Sequence, residues 1–215
     1  LAKKNNIITA LDNTWGTPLF LKPLEIGFDM SISSATKYFS GHSDVMVGSL
    51  AVNKKVFSKV NFYNLVSGYR ASPDDAYLVI RGLRTLDIRL EKHQINTRKV
   101  IQFLKKQKKI KEILYPHKKG SKNYKNWKKY YSGATGLLSL VIKSKSKASV
   151  YKFINSLELF GIGYSWGGFE SLAVYQDLQR EHPKYEDKNL HIVRLHIGLE
   201  DPNDLIVDIK NSLRY

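Results

Sequence analysis

Apolar and polar positions set the first divisions of this chain. Ile7 to Leu11 form a short apolar run closed by Asp12, the pattern of a buried, parallel strand. Phe28, Met30 and Ile32 alternate with polar neighbours and predict a second strand; Val45 to Val52 predict a third, with Gly48 inside it. Turn-rich pieces such as Asn13-Thr14-Trp15-Gly16-Thr17-Pro18 separate them. A helix start follows. Ser72 is suited to cap, Pro73 stands at the first helical position, and Asp74 and Asp75 suit the positive end of the helix dipole. Ala76, Val79, Ile80, Leu83, Leu86 and Leu90 then recur at helical spacing, and the pattern resumes through Val100, Ile101 and Leu104. This long, increasingly basic stretch reads as a connector between domains.

Beyond it the rhythm changes. Lys111 to Tyr115, Leu137 to Ile142, Ser171 to Tyr175 and Leu190 to Ile197 predict strands. Val150, Phe153, Ile154 and Leu157 mark a helix, and Asp201-Pro202-Asn203-Asp204 opens a last one with Leu205, Ile206, Ile209 and Leu213 inward. The expected organisation is an α/β part over 1–95 with a mostly parallel sheet, then a smaller α+β domain over 96–215.

Composition narrows the chemistry. The 215 residues include no cysteine, so disulfides, catalytic thiols and Cys-based metal sites are excluded within them. No stretch approaches the roughly 18–20 apolar residues of a membrane span, and no signal-peptide pattern follows Leu1. A cytoplasmic protein without membrane contact is expected. The opening residues read as the end of a helix running into a strand, as in a piece that begins inside a domain. The formal charge is +16, but the excess is local: Lys99 to Lys129 holds twelve lysines and one acid, Glu112, with no arginine interleaved. Forked recognition of phosphates or bases favours arginine, so this stretch reads as solvated surface and no nucleic-acid partner is expected. A polyanion-binding protein is the less favoured alternative. His42, His93, His182, His191 and His196 lack a carboxylate-supported pair at helix spacing, and no metal site is expected.

The densest chemistry lies in Ser33-Ser34-Ala35-Thr36-Lys37-Tyr38-Phe39-Ser40-Gly41-His42-Ser43-Asp44. One lysine, framed by small hydroxyl residues, follows a predicted strand. A lysine amine can condense with an aldehyde cofactor, and neighbouring hydroxyls can hold a phosphate. Asp12 ends an earlier strand, where ligand groups gather in open α/β sheets; pyridoxal phosphate requires such an acid beside its pyridinium nitrogen. Arg194 stands in an otherwise apolar strand, on one face with Leu190, Ile192 and His196. Such an arginine needs a partner. Either an internal carboxylate or a substrate carboxylate would serve.

Asp12-Asn13-Thr14-Trp15 followed by Ser34-Ala35-Thr36-Lys37-Tyr38 resembles the pyridoxal-phosphate enzymes of cysteine and methionine metabolism, the trans-sulfuration family. The family's pattern Ser-x-Thr-Lys-Tyr-x-x-Gly-His-x-Asp is matched at every named position from Ser34 to Asp44. The resemblance continues through Arg81 to Leu86, Gly167 to Leu172 and Arg194 to Asp201. It implies the fold-type-I architecture, here as the C-terminal part of the large cofactor domain followed by the small domain. It also implies Lys37 as the catalytic, cofactor-bearing lysine, Asp12, Ser34 and Thr36 as cofactor-binding residues, and Arg194 as the substrate-carboxylate residue assisted by Ser165 and Trp166. His42 is expected to help hold the lysine loop. Ser72 to Tyr77 and Tyr164 to Gly168 resemble the family's β-lyases, which implies β-elimination of L-cystathionine. A γ-lyase, γ-synthase or sulfhydrylase is the alternative. The resemblance further implies a homo-oligomer, a dimer of dimers, and a preceding part of the family's chain that carries the rest of the site.

Overall fold

The computed structural model describes residues 1–121, 123–177 and 187–214. The chain forms two compact units, Leu1–Asp87 with Tyr130–Gly133, and Ile88–Lys129 with Ala134–Tyr215.

In the first unit, β1 (Ala10–Asp12) is followed by the short helix α1 (Thr17–Phe20), then β2 (Met30–Ser34) and β3 (Gly48–Val52). The strands pair in the order β1-β2-β3. β1 runs parallel to β2 with Asp12 opposite Ile32, and β3 returns antiparallel with Gly48 opposite Ser34. The parallel pairing agrees with the apolar run; the burial does not, because Ala10 and Asp12 are exposed. A parallel strand is buried by layers on both faces, and the described part of this three-stranded sheet leaves β1 open. The third strand is also shorter than the apolar run at Val45 suggests, with Gly48 as its first residue.

Helix α2 (Lys54–Ser67) has no counterpart in the sequence reading. Its N-cap Asn53 accepts from the Val56 N–H and Gly68 ends it in a left-handed conformation, φ 68°. Val56 is its only buried residue, so no one-sided apolar stripe announces it. Helix α3 (Pro73–Leu83) begins as expected: the Ser72 hydroxyl accepts from the Asp75 N–H at 3.0 Å. The helical rhythm from Ala76 to Leu104 is not one helix. It breaks at Arg84 and Thr85, where the Thr85 N–H and hydroxyl both turn back to the Gly82 carbonyl. Helix α4 (Leu86–Leu104) resumes it.

The second unit is built on a five-stranded sheet: β4 (Ile110–Leu114), β5 (Leu137–Lys143), β6 (Gly161–Ile162), β7 (Leu172–Gln176) and β8 (Leu190–His196), ordered β4-β5-β8-β7-β6. All neighbours are antiparallel except β6 and β7. Helix α5 (Tyr124–Tyr130) lies in the lysine-rich stretch and has no buried residue. Helix α6 (Lys147–Asn155) buries Val150, Phe153 and Ile154, and α7 (Pro202–Ser212) buries Leu205 and Ile209. Leu138, Leu140, Val193 and Leu195 of the central strands are buried as well and belong to the core. Asp201 caps α7 by accepting from the Asn203 N–H, with Pro202 at its first position. No helix of the described residues is long and apolar enough to cross a membrane.

Candidate active site

The residues singled out in the sequence fall into two groups, one in each unit. In the first unit, β1 and β2 are parallel neighbours, so Asp12 and Ser34 emerge at the same end of the sheet. Thr14 joins them. Its hydroxyl donates to Asp12 Oδ1 at 2.6 Å and accepts from the Ser34 N–H at 2.8 Å; its own N–H also reaches Asp12 Oδ1, at 2.9 Å. One carboxylate oxygen is therefore held from within the chain while the residue stays exposed. The Ser34 hydroxyl makes no hydrogen bond among the described residues.

Lys37 sits in the turn that leaves β2. The Lys37 N–H donates to the Ser34 carbonyl, the Ser40 N–H to the Ala35 carbonyl and the Gly41 N–H to the Lys37 carbonyl. The Ser40 hydroxyl adds a bond to the Thr36 carbonyl at 3.0 Å. Ala35, Tyr38 and Ser40 are buried beneath the turn. Helix α3 presses on it from outside: a methyl group at Gly82 would overlap the Phe39 and Ser40 carbonyls. Gly41 supplies a positive φ of 71°, and the His42 Nδ1–H donates to the Ser40 carbonyl at 2.6 Å. His42 thus ties down the loop while staying exposed.

Thr36 is differently placed from Ser34. Its hydroxyl accepts from the Val47 N–H at 3.0 Å and donates to the Val47 carbonyl at 3.3 Å. A phosphate needs donors, and this hydroxyl has one proton. The bond that uses it is long, so turning the proton toward a phosphate would sacrifice only a weak contact.

In the second unit, β8 carries Arg194 half-buried among apolar neighbours. Its Nη2 donates to the Tyr164 carbonyl at 2.6 Å and lies 3.5 Å from the Ser165 carbonyl. Burial pushes the guanidinium pKa down, and the Tyr164 ring opposes that shift; an arginine stays charged regardless. Among the described residues it forms no ion pair with a carboxylate. Trp166, half-buried, and Ser165, exposed, belong to the same turn as Tyr164. Tyr164 enters through its backbone carbonyl, which no side-chain pattern in the sequence reveals. Thr14 and Gly82 carry only weak sequence signals, a threonine two positions after an aspartate and a glycine inside a helix.

His93 lies fully buried on α4, and burial pushes its pKa down to about 3, with His196 adding to the shift. Among the described residues no group of three or more His, Asp or Glu is placed to hold a metal ion. His182 lies outside the described residues.

The residues around Lys37 suit pyridoxal phosphate in donor chemistry: an amine, an uncommitted hydroxyl and a pinned carboxylate stand on the turns leaving two neighbouring strand ends. Comparison with known proteins agrees. The family model described as Cys/Met metabolism PLP-dependent enzyme matches residues 1–214. A putative cystathionine β-lyase of Rhizobium johnstonii is 37% identical over 99% of this chain and 54% of its own length. The cystathionine β-lyase MetC of Escherichia coli K12 is 38% identical over 94% of this chain and 52% of its own. The crystal structure of cystathionine γ-synthase from Xanthomonas oryzae pv. oryzae, in complex with aminoacrylate and cysteine, superposes with a TM-score of 0.88 at 29% identity. It matches 99% of this chain and 57% of that one. This chain therefore spans about half the length of the curated relatives it matches. With its family motif intact around Lys37 and the family's fold in both units, the chain belongs to the Cys/Met metabolism PLP-dependent enzymes.

Proposed function

We propose that this chain forms the lysine-bearing part of a carbon–sulfur lyase that cleaves L-cystathionine by β-elimination, releasing homocysteine, pyruvate and ammonia with uptake of one water. The observation that carries the reading is Arg194. It is a charged group in an apolar strand that meets a backbone carbonyl on one side and no internal carboxylate among the described residues. A planar guanidinium in that state is suited to grip an α-carboxylate through two parallel bonds.

Pyridoxal phosphate, when bound, supplies an electron-withdrawing ring that accepts the charge left at the substrate Cα. The amine of Lys37 holds that cofactor before substrate arrives. It then takes the Cα proton and returns a proton to the departing sulfur. The carboxylate of Asp12, with Oδ1 pinned by Thr14, keeps a proton at the ring nitrogen. The hydroxyls of Ser34 and Thr36 bind the phosphate, Ser34 without breaking any existing bond. Ser165 and Trp166 help orient Arg194 toward the substrate carboxylate.

The choice of β- over γ-chemistry rests on the Tyr164 to Gly168 turn and the Ser72 to Tyr77 helix start, both of the β-lyase pattern. The similarity to a γ-synthase structure keeps the γ-reaction as the second reading. Incubating the full-length protein with L-cystathionine separates the two. Pyruvate and homocysteine are expected; 2-oxobutyrate and cysteine would replace this assignment with γ-elimination. We extend the proposal to a cytoplasmic homo-oligomer. Phe62, Tyr63 and Val66 of α2 are 66–77% exposed, apolar surface that contact with another copy would remove.

A further inference from the structure

Two residues beyond Arg194, β8 ends in His196, 1% exposed. Residues two apart on a strand share a face, so β8 offers Arg194 and His196 to the same turn. Arg194 holds its front through the Tyr164 carbonyl. His196 holds its back: the Gly167 N–H donates to Nε2 at 3.1 Å, and the Gly168 carbonyl lies 3.1 Å from the same nitrogen. Either tautomer thus bonds this glycine pair, by accepting from Gly167 or by donating to Gly168. Gly167 has φ 88°, a conformation that glycine adopts without the steric cost of a Cβ.

His196 is itself braced. Its ring lies 5.1 Å from that of His93. A carbonyl can only accept, so the 2.7 Å contact between His93 Nδ1 and the Ile197 carbonyl places the His93 proton on Nδ1. Asn96, one turn along α4, donates to the Gly198 and Glu200 carbonyls at 3.0 and 2.8 Å. The far end of the turn is fixed to the same segment: the Leu199 N–H donates to the Phe169 carbonyl, and Glu200 accepts from the Ser171 N–H and hydroxyl. A buried histidine is costly unless its polar atoms are used. An apolar ring of similar size would remove whichever bond Nε2 makes, to the Gly167 N–H or to the Gly168 carbonyl.

We propose that His196 is a positioning residue for Arg194, holding the Gly167-Gly168 pair so that the Tyr164 carbonyl fixes the guanidinium for a carboxylate ligand. The inference rests on the reading of Arg194 as the carboxylate clamp. It assigns His196 no contact with substrate or cofactor.

The test uses the full-length protein and three variants, His196→Phe, His196→Gln and Arg194→Ala. His196→Phe keeps the bulk and removes the polar contact; His196→Gln keeps a donor and acceptor near the place of Nε2. Expected for His196→Phe are a KM for cystathionine raised at least about tenfold, kcat changed less than about threefold, and unchanged cofactor absorbance. Amide exchange over 163–169 should be faster than in the unmodified protein. His196→Gln should restore both KM and exchange protection. Adding His196→Phe to Arg194→Ala should cost little beyond Arg194→Ala alone, since both act through one clamp. An unchanged KM in His196→Phe beside a raised KM in Arg194→Ala would overturn the positioning role and leave the clamp standing. An unchanged KM in Arg194→Ala would overturn the clamp itself. Should His196→Phe not fold, His196→Leu takes its place with the same expectations, and an unchanged KM there beside a raised KM in Arg194→Ala would equally overturn the positioning role.

Discussion

Thr14 donates its hydroxyl to Asp12 Oδ1 over 2.6 Å while accepting the Ser34 N–H. A single side chain therefore couples the acid at the end of β1 to the first residue of the lysine motif. Thr14 is buried. Thr14→Val keeps the shape, removes the bridge and leaves the Ser34 N–H unpaired, at a cost of about 1–3 kcal/mol in stability. Cofactor affinity should fall in the same variant, and Thr14→Ser should recover most of both. Urea unfolding and a cofactor titration of the full-length protein check this. Equal stability and affinity in Thr14→Val would show that the bridge is incidental.

Lys37→Ala should abolish covalent capture of the cofactor by borohydride and nearly all turnover. Asp12→Asn should still bind cofactor but remove the Cα proton more slowly, because a neutral amide no longer favours a proton on the ring nitrogen. Mass mapping of the reduced protein and deuterium exchange at the substrate Cα are the measurements. Cofactor attached to any other lysine would refute the first assignment, and unchanged exchange in Asp12→Asn the second.

Gly82→Ala sets two effects against each other. Alanine favours a helix interior over glycine by about 1 kcal/mol. The added methyl, however, would overlap the Phe39 and Ser40 carbonyls of the turn carrying Lys37. Overpacking of this kind costs about 1–3 kcal/mol, and backbone atoms on both sides leave little room to relax. We expect a net loss of stability together with lower kcat, from a shifted Lys37. A stabilised, fully active Gly82→Ala protein would show that α3 can withdraw freely.

Arg194→Lys should raise KM strongly, since an ammonium supplies charge without the planar fork. Arg194→Ala should lower kcat/KM at least about a hundredfold, or ~3 kcal/mol of transition-state stabilisation. Trp166→Leu should weaken cystathionine use less. Steady-state kinetics with cofactor occupancy followed by absorbance will check all three. Cofactor lost from Arg194→Ala would contradict the separation of the two groups of site residues.

Acid stability should carry the mark of His93. Its folded pKa is lowered to about 3 from an ordinary 6.5, chiefly by burial. Between these values the unfolded chain binds a proton that the folded chain refuses. Its contribution is therefore whole above pH 6.5 and is lost as pH falls toward 3, at up to about 1.4 kcal/mol per pH unit. His93→Asn, which keeps a donor near the Ile197 carbonyl, should show a shallower acid limb in denaturant unfolding followed from pH 7 to pH 4. Identical limbs would mean that His93 takes its proton in the folded state too.

Local patterns alone determined much of this protein. The serine cap and Pro73 start α3 because capping and backbone restriction act within a few residues. Short runs rich in Leu, Ile and Val mark β5 and β8 as strands, and the spacing from Ser34 to Asp44 marks the lysine turn. Tertiary structure decided the rest. Helix α2 escaped because one buried residue makes no stripe, and the helical run from Ala76 to Leu104 hid a break made by two bonds to a carbonyl. Asp12 was legible as an acid at a strand end, but its link to Ser34 depends on β1 lying parallel to β2. Arg194 was legible as a charge in an apolar strand. That it meets the carbonyl of Tyr164, while His196 holds the same turn from behind, depends on strand and turn folding together. Such contacts are made by backbone groups that every residue carries, so side-chain patterns along the chain do not distinguish them.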